Sequence, residues 1–127
     1  MPKKQIIIID DELMLLLSMQ RMLEDEFDIT IANGGQKALD TLSKREKWFD
    51  LIICDLNMPD INGQNLYLDI AKKYPGLEKR IVFMTGGSIT SELEKFFVSN
   101  KCLCLPKPFE YSKLLQAIND SLESNHT

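Results

Sequence analysis

A few residues of this chain carry oxygens or an ammonium group suited to metal and phosphate chemistry. They recur in one kind of place, the end of a short apolar run. Asp10 and Asp11 follow Ile6 to Ile9, Asp55 follows Leu51 to Cys54, and Thr85 follows Ile81 to Met84. Lys107 follows Cys102 to Leu105, with Pro106 between. Two unit negative charges about 5 Å apart repel by roughly 3 kcal/mol at an effective dielectric near 20. Three carboxylates brought together therefore need a cation or raised pKa values. Lys107 offers one positive charge, and a divalent ion would supply the rest. The ligands on offer are oxygens, with no histidine or thiolate at the run ends, which suits Mg²⁺ or Mn²⁺. A carboxylate beside such an ion, a lysine and a hydroxyl is a phosphoryl-transfer arrangement. The aspartate can act as a nucleophile and form an acyl phosphate. The divalent ion and the lysine neutralise charge on the phosphoryl oxygens. Each residue alone also reads as a helix cap, since Asp and Thr favour that position. All of them together argue for chemistry.

The elements that must position these groups are legible as changes of period. Ile6 to Ile9 is continuous and β-branched, the pattern of a strand buried on both faces. Asp28 to Ile31 alternates polar and apolar, which suits an edge. Leu51 to Cys54, Ile81 to Met84 and Cys102 to Leu105 complete five strands. Between them the period becomes helical. Leu13, Leu16, Leu17, Leu23 and Phe27 give a first helix its apolar face. Asn33 with Gln36 forms a capping pair ahead of Ala38, Leu39 and Leu42. Leu66, Ile70 and Ala71 mark a third helix, stopping before Tyr74-Pro75-Gly76. Leu93, Phe96 and Phe97 mark a fourth, and Leu114, Leu115, Ile118 and Leu122 a fifth. Strict alternation of strand and helix predicts a parallel α/β sheet with helices on both faces. Ligands in such sheets bind beyond the carboxyl ends of the strands, where the acidic and basic groups fall.

Composition bounds the rest. The 127 residues suit one domain, with 15 Lys+Arg against 19 Asp+Glu and a formal charge of −4. That acidic excess argues against direct nucleic-acid binding, which usually shows a basic face. Apolar residues at 44% and charged residues at 27% are those of a globular domain. No apolar run approaches the roughly 20 residues that span a bilayer, and the N-terminus lacks the form of a secretory signal. Cys54, Cys102 and Cys104 are odd in number and lie in apolar runs, which predicts buried strand thiols and a reduced, cytoplasmic setting. A Cys-x-Cys metal site at Cys102 and Cys104 lacks the four ligands that a closed zinc site needs. His126 is the sole histidine and falls in the polar tail, which excludes histidine-dependent triads. Gly34-Gly35 and Gly86-Gly87 read as turns, and no phosphate-loop or dinucleotide fingerprint is present. Lys72-Lys73 and Lys79-Arg80 read as solvated surface.

The set Asp10-Asp11, Asp55-Leu56-Asn57-Met58-Pro59-Asp60 with Gly63, Thr85-Gly86 and Lys107-Pro108 resembles the receiver domain of two-component response regulators. In this order and spacing the resemblance is specific, and it covers about residues 4–122, leaving 123–127 as a polar tail of a single receiver domain. It implies a doubly wound, flavodoxin-like sheet of order 2-1-3-4-5 with five helices. It implies that Asp55 accepts a phosphoryl group from a phosphohistidine, on a histidine kinase or a histidine phosphotransfer protein. Asp11 would bind Mg²⁺ directly and Asp10 mainly through water, with Asp55 and the backbone carbonyl of Asn57 completing the protein ligands. Lys107 would hold one phosphoryl oxygen, and Thr85 would move to hydrogen-bond another. The Lys107–Pro108 bond would be cis, a largely proline-specific geometry. Gly86 would leave access to Asp55, and Asn57 and Gly87 would flank the route of attacking water and tune phosphoryl lifetime.

One position departs from the family pattern. Three residues before Lys107, where receivers often carry Tyr or Phe, stands Cys104. The resemblance then implies that phosphorylation reshapes the face made by helix four, strand five and helix five less than usual. A fluoride-activated form differing there from the free form as much as in ordinary receivers would contradict this. Phe109 reads as packing. Met1 and the short tail predict no output domain, so the chain is a stand-alone receiver or one excised from a longer protein. The segments 83–87 and 105–109 are similar to receiver segments of hybrid sensor histidine kinases, in which case the full-length protein would be a kinase. By itself the chain is expected to turn over no external metabolite, only its own phosphoryl group. Two other readings stand beside this one. The first is an interaction domain that no longer needs phosphate. The second is a small aspartyl-phosphate hydrolase similar to the haloacid-dehalogenase class, whose nucleophile lies in an Asp-x-Asp where this chain has Asp10-Asp11-Glu12.

Overall fold

The isoleucine run organises the molecule. In the computed structural model, which describes residues 2–44 and 49–124, it forms strand β1 (Gln5–Asp10). Ile7 and Ile9 enter one hydrophobic core, while Ile6 and Ile8 enter a second on the opposite face. Side chains of a strand point alternately to the two faces, so one uninterrupted apolar strand serves both cores. The chain continues with α1 (Leu13–Leu23), β2 (Asp28–Asn33), α2 (Gly35–Ser43), β3 (Leu51–Asp55) and α3 (Gly63–Lys73). A short 3₁₀ turn (Leu77–Arg80), β4 (Ile81–Thr85), α4 (Ser91–Asn100), β5 (Leu103–Pro106) and α5 (Tyr111–Ser124) follow. The strands form one parallel sheet in the order β2-β1-β3-β4-β5. This is the doubly wound, flavodoxin-like topology, and its edges are β2 and β5. The first core packs α2, α3 and α4 on one face, and the second packs α1 and α5 on the other.

Several details differ from the sequence reading. On α1 the buried residues are Leu16, Met19 and Leu23. Leu13 and Leu17 face solvent at 50% and 39% exposure, beside Met14 at 78%. Residues 13–17 are apolar without a break, so periodicity could not choose the inward face. Phe27 is buried but lies beyond the helix. Asn33 does not cap α2: Gly34 holds the N-cap position at φ +112°, without a side-chain bond. The cap comes from Asp60, whose carboxylate accepts from Gly35 N (3.2 Å) and Gln36 N (3.0 Å). Only Cys54 is a fully buried strand thiol, because β5 is an edge strand. Cys104 is half-buried on it, and half-buried Cys102 precedes it. Arg80 is no solvated cation, since its Nη1 donates to the Phe49 carbonyl at 2.9 Å. Helix α5 reaches Ser124, into the stretch read as tail. His126 lies outside the described residues. Among the described residues no helix is long and apolar enough to cross a membrane.

Candidate functional site at the carboxyl edge of the sheet

Each strand delivers its last residue to the same edge. Asp10 ends β1, Asp55 ends β3 and Thr85 ends β4, and all three are buried. Lys107 directly follows β5, tied to the sheet by its backbone N–H to the Thr85 carbonyl at 2.7 Å. The strands are parallel and adjacent, so residues distant in sequence converge without any loop having to find them.

The convergence is tight. Lys107 Nζ lies 2.8 Å from Asp10 Oδ2 and 3.3 Å from Asp55 Oδ1. Asp10, Asp11 and Asp55 each offer a carboxylate oxygen within 4.8 Å of the others, a grouping able to hold a metal ion. Asp10 is fully buried, with its other oxygen accepting from Glu12 N at 2.9 Å, whereas Asp11 is exposed. The donor set is oxygen only and carries more negative charge than Lys107 neutralises, which fits a small hard divalent cation. Burial and the neighbouring charge of Asp10 push the Asp55 carboxyl from its ordinary 3.8 up to about 6, against the opposing pull of Lys107 and the Asn57 backbone N–H. Burial works against the Lys107 ammonium, but its hydrogen bond to Asp10 and the two carboxylate charges outweigh that and raise its pKa. Burial, with Asp55 and Asp10 nearby, pushes the Cys54 thiol far up, so it stays protonated and is no nucleophile.

The remaining candidates surround this centre. The Thr85 hydroxyl is engaged with Gly87, with N–H and carbonyl both at 3.3 Å, rather than with the carboxylates. Gly86 and Gly87 are exposed, and a Cβ on Gly86 would meet only the Lys107 chain at 3.8 Å. Asn57 is exposed two residues beyond Asp55. The Lys107–Pro108 peptide bond is cis. Phe109 is half-buried against the second core. Between it and Leu15 and Met22 of α1 runs a groove of about 500 Å³ that opens beside Lys107 and Gly86. Cys104 packs against the first core, where Tyr67, Phe83, Phe96 and Phe97 stack with ring centroids 5.1 to 6.5 Å apart.

The family model for the response regulator receiver domain matches residues 6–119. The chain belongs to the response regulator receiver domain family. Among curated relatives, the receiver is 30% identical to a probable transcriptional regulator, ycf29, of Pyropia yezoensis, over 91% of this chain and 52% of that protein. It is 29% identical to the transcriptional regulatory protein GlrR of Escherichia coli, over 98% of this chain and 27% of that protein. The chain thus spans about half of one relative and about a quarter of the other. A CheY-like receiver domain protein from Methanospirillum hungatei superposes with a TM-score of 0.84 at 25% identity, covering 98% of this chain and 97% of that one.

Three residues at the receiver's edge have roles that the sequence does not announce. Asn33, at the carboxyl end of β2, donates from Nδ2 to the carbonyls of Asp10 (3.3 Å) and Asp11 (3.0 Å). The rule that directs attention to strand ends would have found it had β2 been included. Asp60 braces the loop after β3 to the start of α2, and its amide partners hold its carboxyl below the ordinary range. Gly63 is required by close approach, since a Cβ there would lie 2.8 Å from the Asp55 carbonyl oxygen and 2.9 Å from Leu56 Cα.

Proposed function

We propose that this receiver is the phosphoacceptor of a two-component phosphorelay, with Asp55 as the residue phosphorylated. The observation that carries the reading is the single ammonium of Lys107 lying within 3.3 Å of two buried carboxylates, with a third within ligand distance. Asp11 and Asp55, the backbone carbonyl of Asn57, and Asp10 mainly through water would hold Mg²⁺. When bound, that ion neutralises charge on the transferring phosphoryl group. An oxygen of ionised Asp55 attacks phosphorus, the N–P bond of a donor phosphohistidine breaks, and the imidazole nitrogen leaves with the electron pair. Lys107 orients and neutralises one phosphoryl oxygen, and Thr85 leaves its Gly87 partner to donate to another. Gly86 keeps the approach to Asp55 open, and Asn57 and Gly87 border the path of hydrolytic water.

The donor is a histidine kinase or a histidine phosphotransfer protein. Exposed Leu13, Met14 and Leu17, on the helix that follows Asp10-Asp11, offer it an apolar face beside the site. The readout is a shift between two states of altered partner affinity. The three free cysteines agree with a cytoplasmic setting. Incubation with a small phosphodonor and Mg²⁺, followed by intact mass, tests the reading. The expected result is a gain of one phosphoryl group that Asp55→Asn and EDTA each abolish. No gain in the unmodified protein, with fluoroberyllate also failing to bind, would leave a phosphate-independent interaction module.

A further inference from the structure

We infer that Asn33 is a positioning residue for the divalent-cation site, setting metal affinity by holding the backbone of Asp10 and Asp11. The inference rests on the proposed metal site and extends it to a strand that contributes no ligand.

Asn33 is the last residue of edge strand β2 and sits in register with Asp10. Its Nδ2 spans two consecutive carbonyls, Asp10 O at 3.3 Å and Asp11 O at 3.0 Å. Two carbonyl acceptors dictate the orientation of the amide, because the Oδ1 end in that place would set oxygen against oxygen. Strand propensity does not explain the residue, since Asn is depleted in strands. Nor does helix capping, because α2 takes its cap from Asp60.

Of the two residues the amide holds, Asp11 is the one with little else to hold it. Asp10 is fixed through both carboxylate oxygens, one on Lys107 and one on Glu12 N. Asp11 is exposed, and among the described residues its side chain has no hydrogen-bond or ion-pair partner. The Asp11 carboxylate is one of the grouping of oxygens that lies within 4.8 Å. Its place there is set by its backbone, and the contact to that backbone from outside the loop is Asn33. Groups that orient metal ligands typically change affinity 10- to 100-fold when lost.

The test is titration of ¹⁵N-labelled protein with Mg²⁺, read by amide shifts, for the unmodified chain, Asn33→Ala, Asn33→Leu and Asp11→Asn. Leu keeps the branched heavy-atom shape of Asn but donates no hydrogen bond. Both Asn33 variants are expected to bind Mg²⁺ about 10-fold more weakly. In the metal-free proteins they are expected to show faster hydrogen exchange at the Asp11 and Glu12 amides, while amides of β3 and β4 exchange unchanged. Affinity within twofold of the unmodified chain in both variants, with Asp11→Asn clearly impaired, overturns the role of Asn33 and leaves the metal site intact. Weak binding in Asn33→Ala restored by Asn33→Leu also overturns it, since packing would then suffice. Absence of saturable Mg²⁺ binding by the unmodified chain overturns the site itself and this inference with it.

Discussion

Replacing Asp55 with Asn should make the metal-free protein more stable, although the change removes a partner of Lys107. Asp55 is held at about 6 rather than 3.8, so at neutral pH its ionised form is unfavourable in the folded state. A difference of that size corresponds to about 3 kcal/mol, of which screening by water at the sheet edge leaves on the order of 1–2 kcal/mol. The sign follows from linkage. Between 3.8 and about 6 the folded protein binds the Asp55 proton more tightly than the unfolded chain does, so stability falls as pH rises through that window. Above it the full penalty applies, and below it the penalty vanishes. Urea unfolding followed by far-UV circular dichroism, in EDTA, reads the difference directly. With a urea slope of about 2 kcal/mol per molar, Asp55→Asn should move the midpoint up by about 0.5–1 M at about pH 7.5. The two proteins should converge at about pH 4. Saturating Mg²⁺ should stabilise the unmodified protein and do little for the variant. An Asp55→Asn midpoint equal to or below that of the unmodified protein in EDTA at pH 7.5 would refute the reasoning. It would mean that the Lys107 contact outweighs burial and the Asp10 charge.

Four further outcomes follow from the same geometry. Lys107→Met removes the ammonium that bridges Asp10 and Asp55. It should destabilise the metal-free fold by about 2–4 kcal/mol and tighten Mg²⁺ binding, both measurable by thermal unfolding across a Mg²⁺ series. Asp60→Ala removes the cap of α2 and should cost about 1–2 kcal/mol near neutral pH. Because the Asp60 carboxyl is held low, its contribution is present above its ordinary pKa and lost as pH falls through the depressed value, so unmodified and variant urea midpoints should converge in acid. Gly63→Ala forces a Cβ against the Asp55 carbonyl and Leu56, and should cost about 1–3 kcal/mol of stability in urea unfolding. Gly87→Ala meets nothing within 4 Å and should change that stability by less than about 0.5 kcal/mol.

Where sequence reasoning succeeded, one residue's environment was fixed by its own run. The strands of the sheet centre are buried on both faces, so hydrophobicity alone marks them, and their final residues could be assigned to one edge. Where it failed, the deciding partner lay far away in the chain. The sequence pairs Asn33 with Gln36, three residues on, as a helix cap, yet its partners are Asp10 and Asp11, more than twenty residues distant. Asp60 sat inside a recognised motif, but its bonds to Gly35 and Gln36 depend on how two loops meet. On α1 the failure was excess of signal: a leucine-rich stretch offers several apolar faces, and only packing against β1 and α5 selects one.

The four isoleucines of β1 carry a genetic consequence. A run of identical residues feeding two cores has no phase of its own. Displaced by one position, it would still present an isoleucine to each side. Alignment must be encoded at the ends, in Asp10 and in Gln5, whose backbone N–H meets Asp50 at 2.8 Å and whose side chain meets Asp28 at 2.7 Å. Gain of one isoleucine codon would leave both cores filled, yet carry Asp10 about 3.3 Å along the strand and onto the opposite face. The chemistry of the edge therefore depends on a count of residues and not on their composition. An in-frame insertion of one isoleucine in this strand should abolish the phosphoryl acceptance proposed for Asp55 while sparing much of the fold.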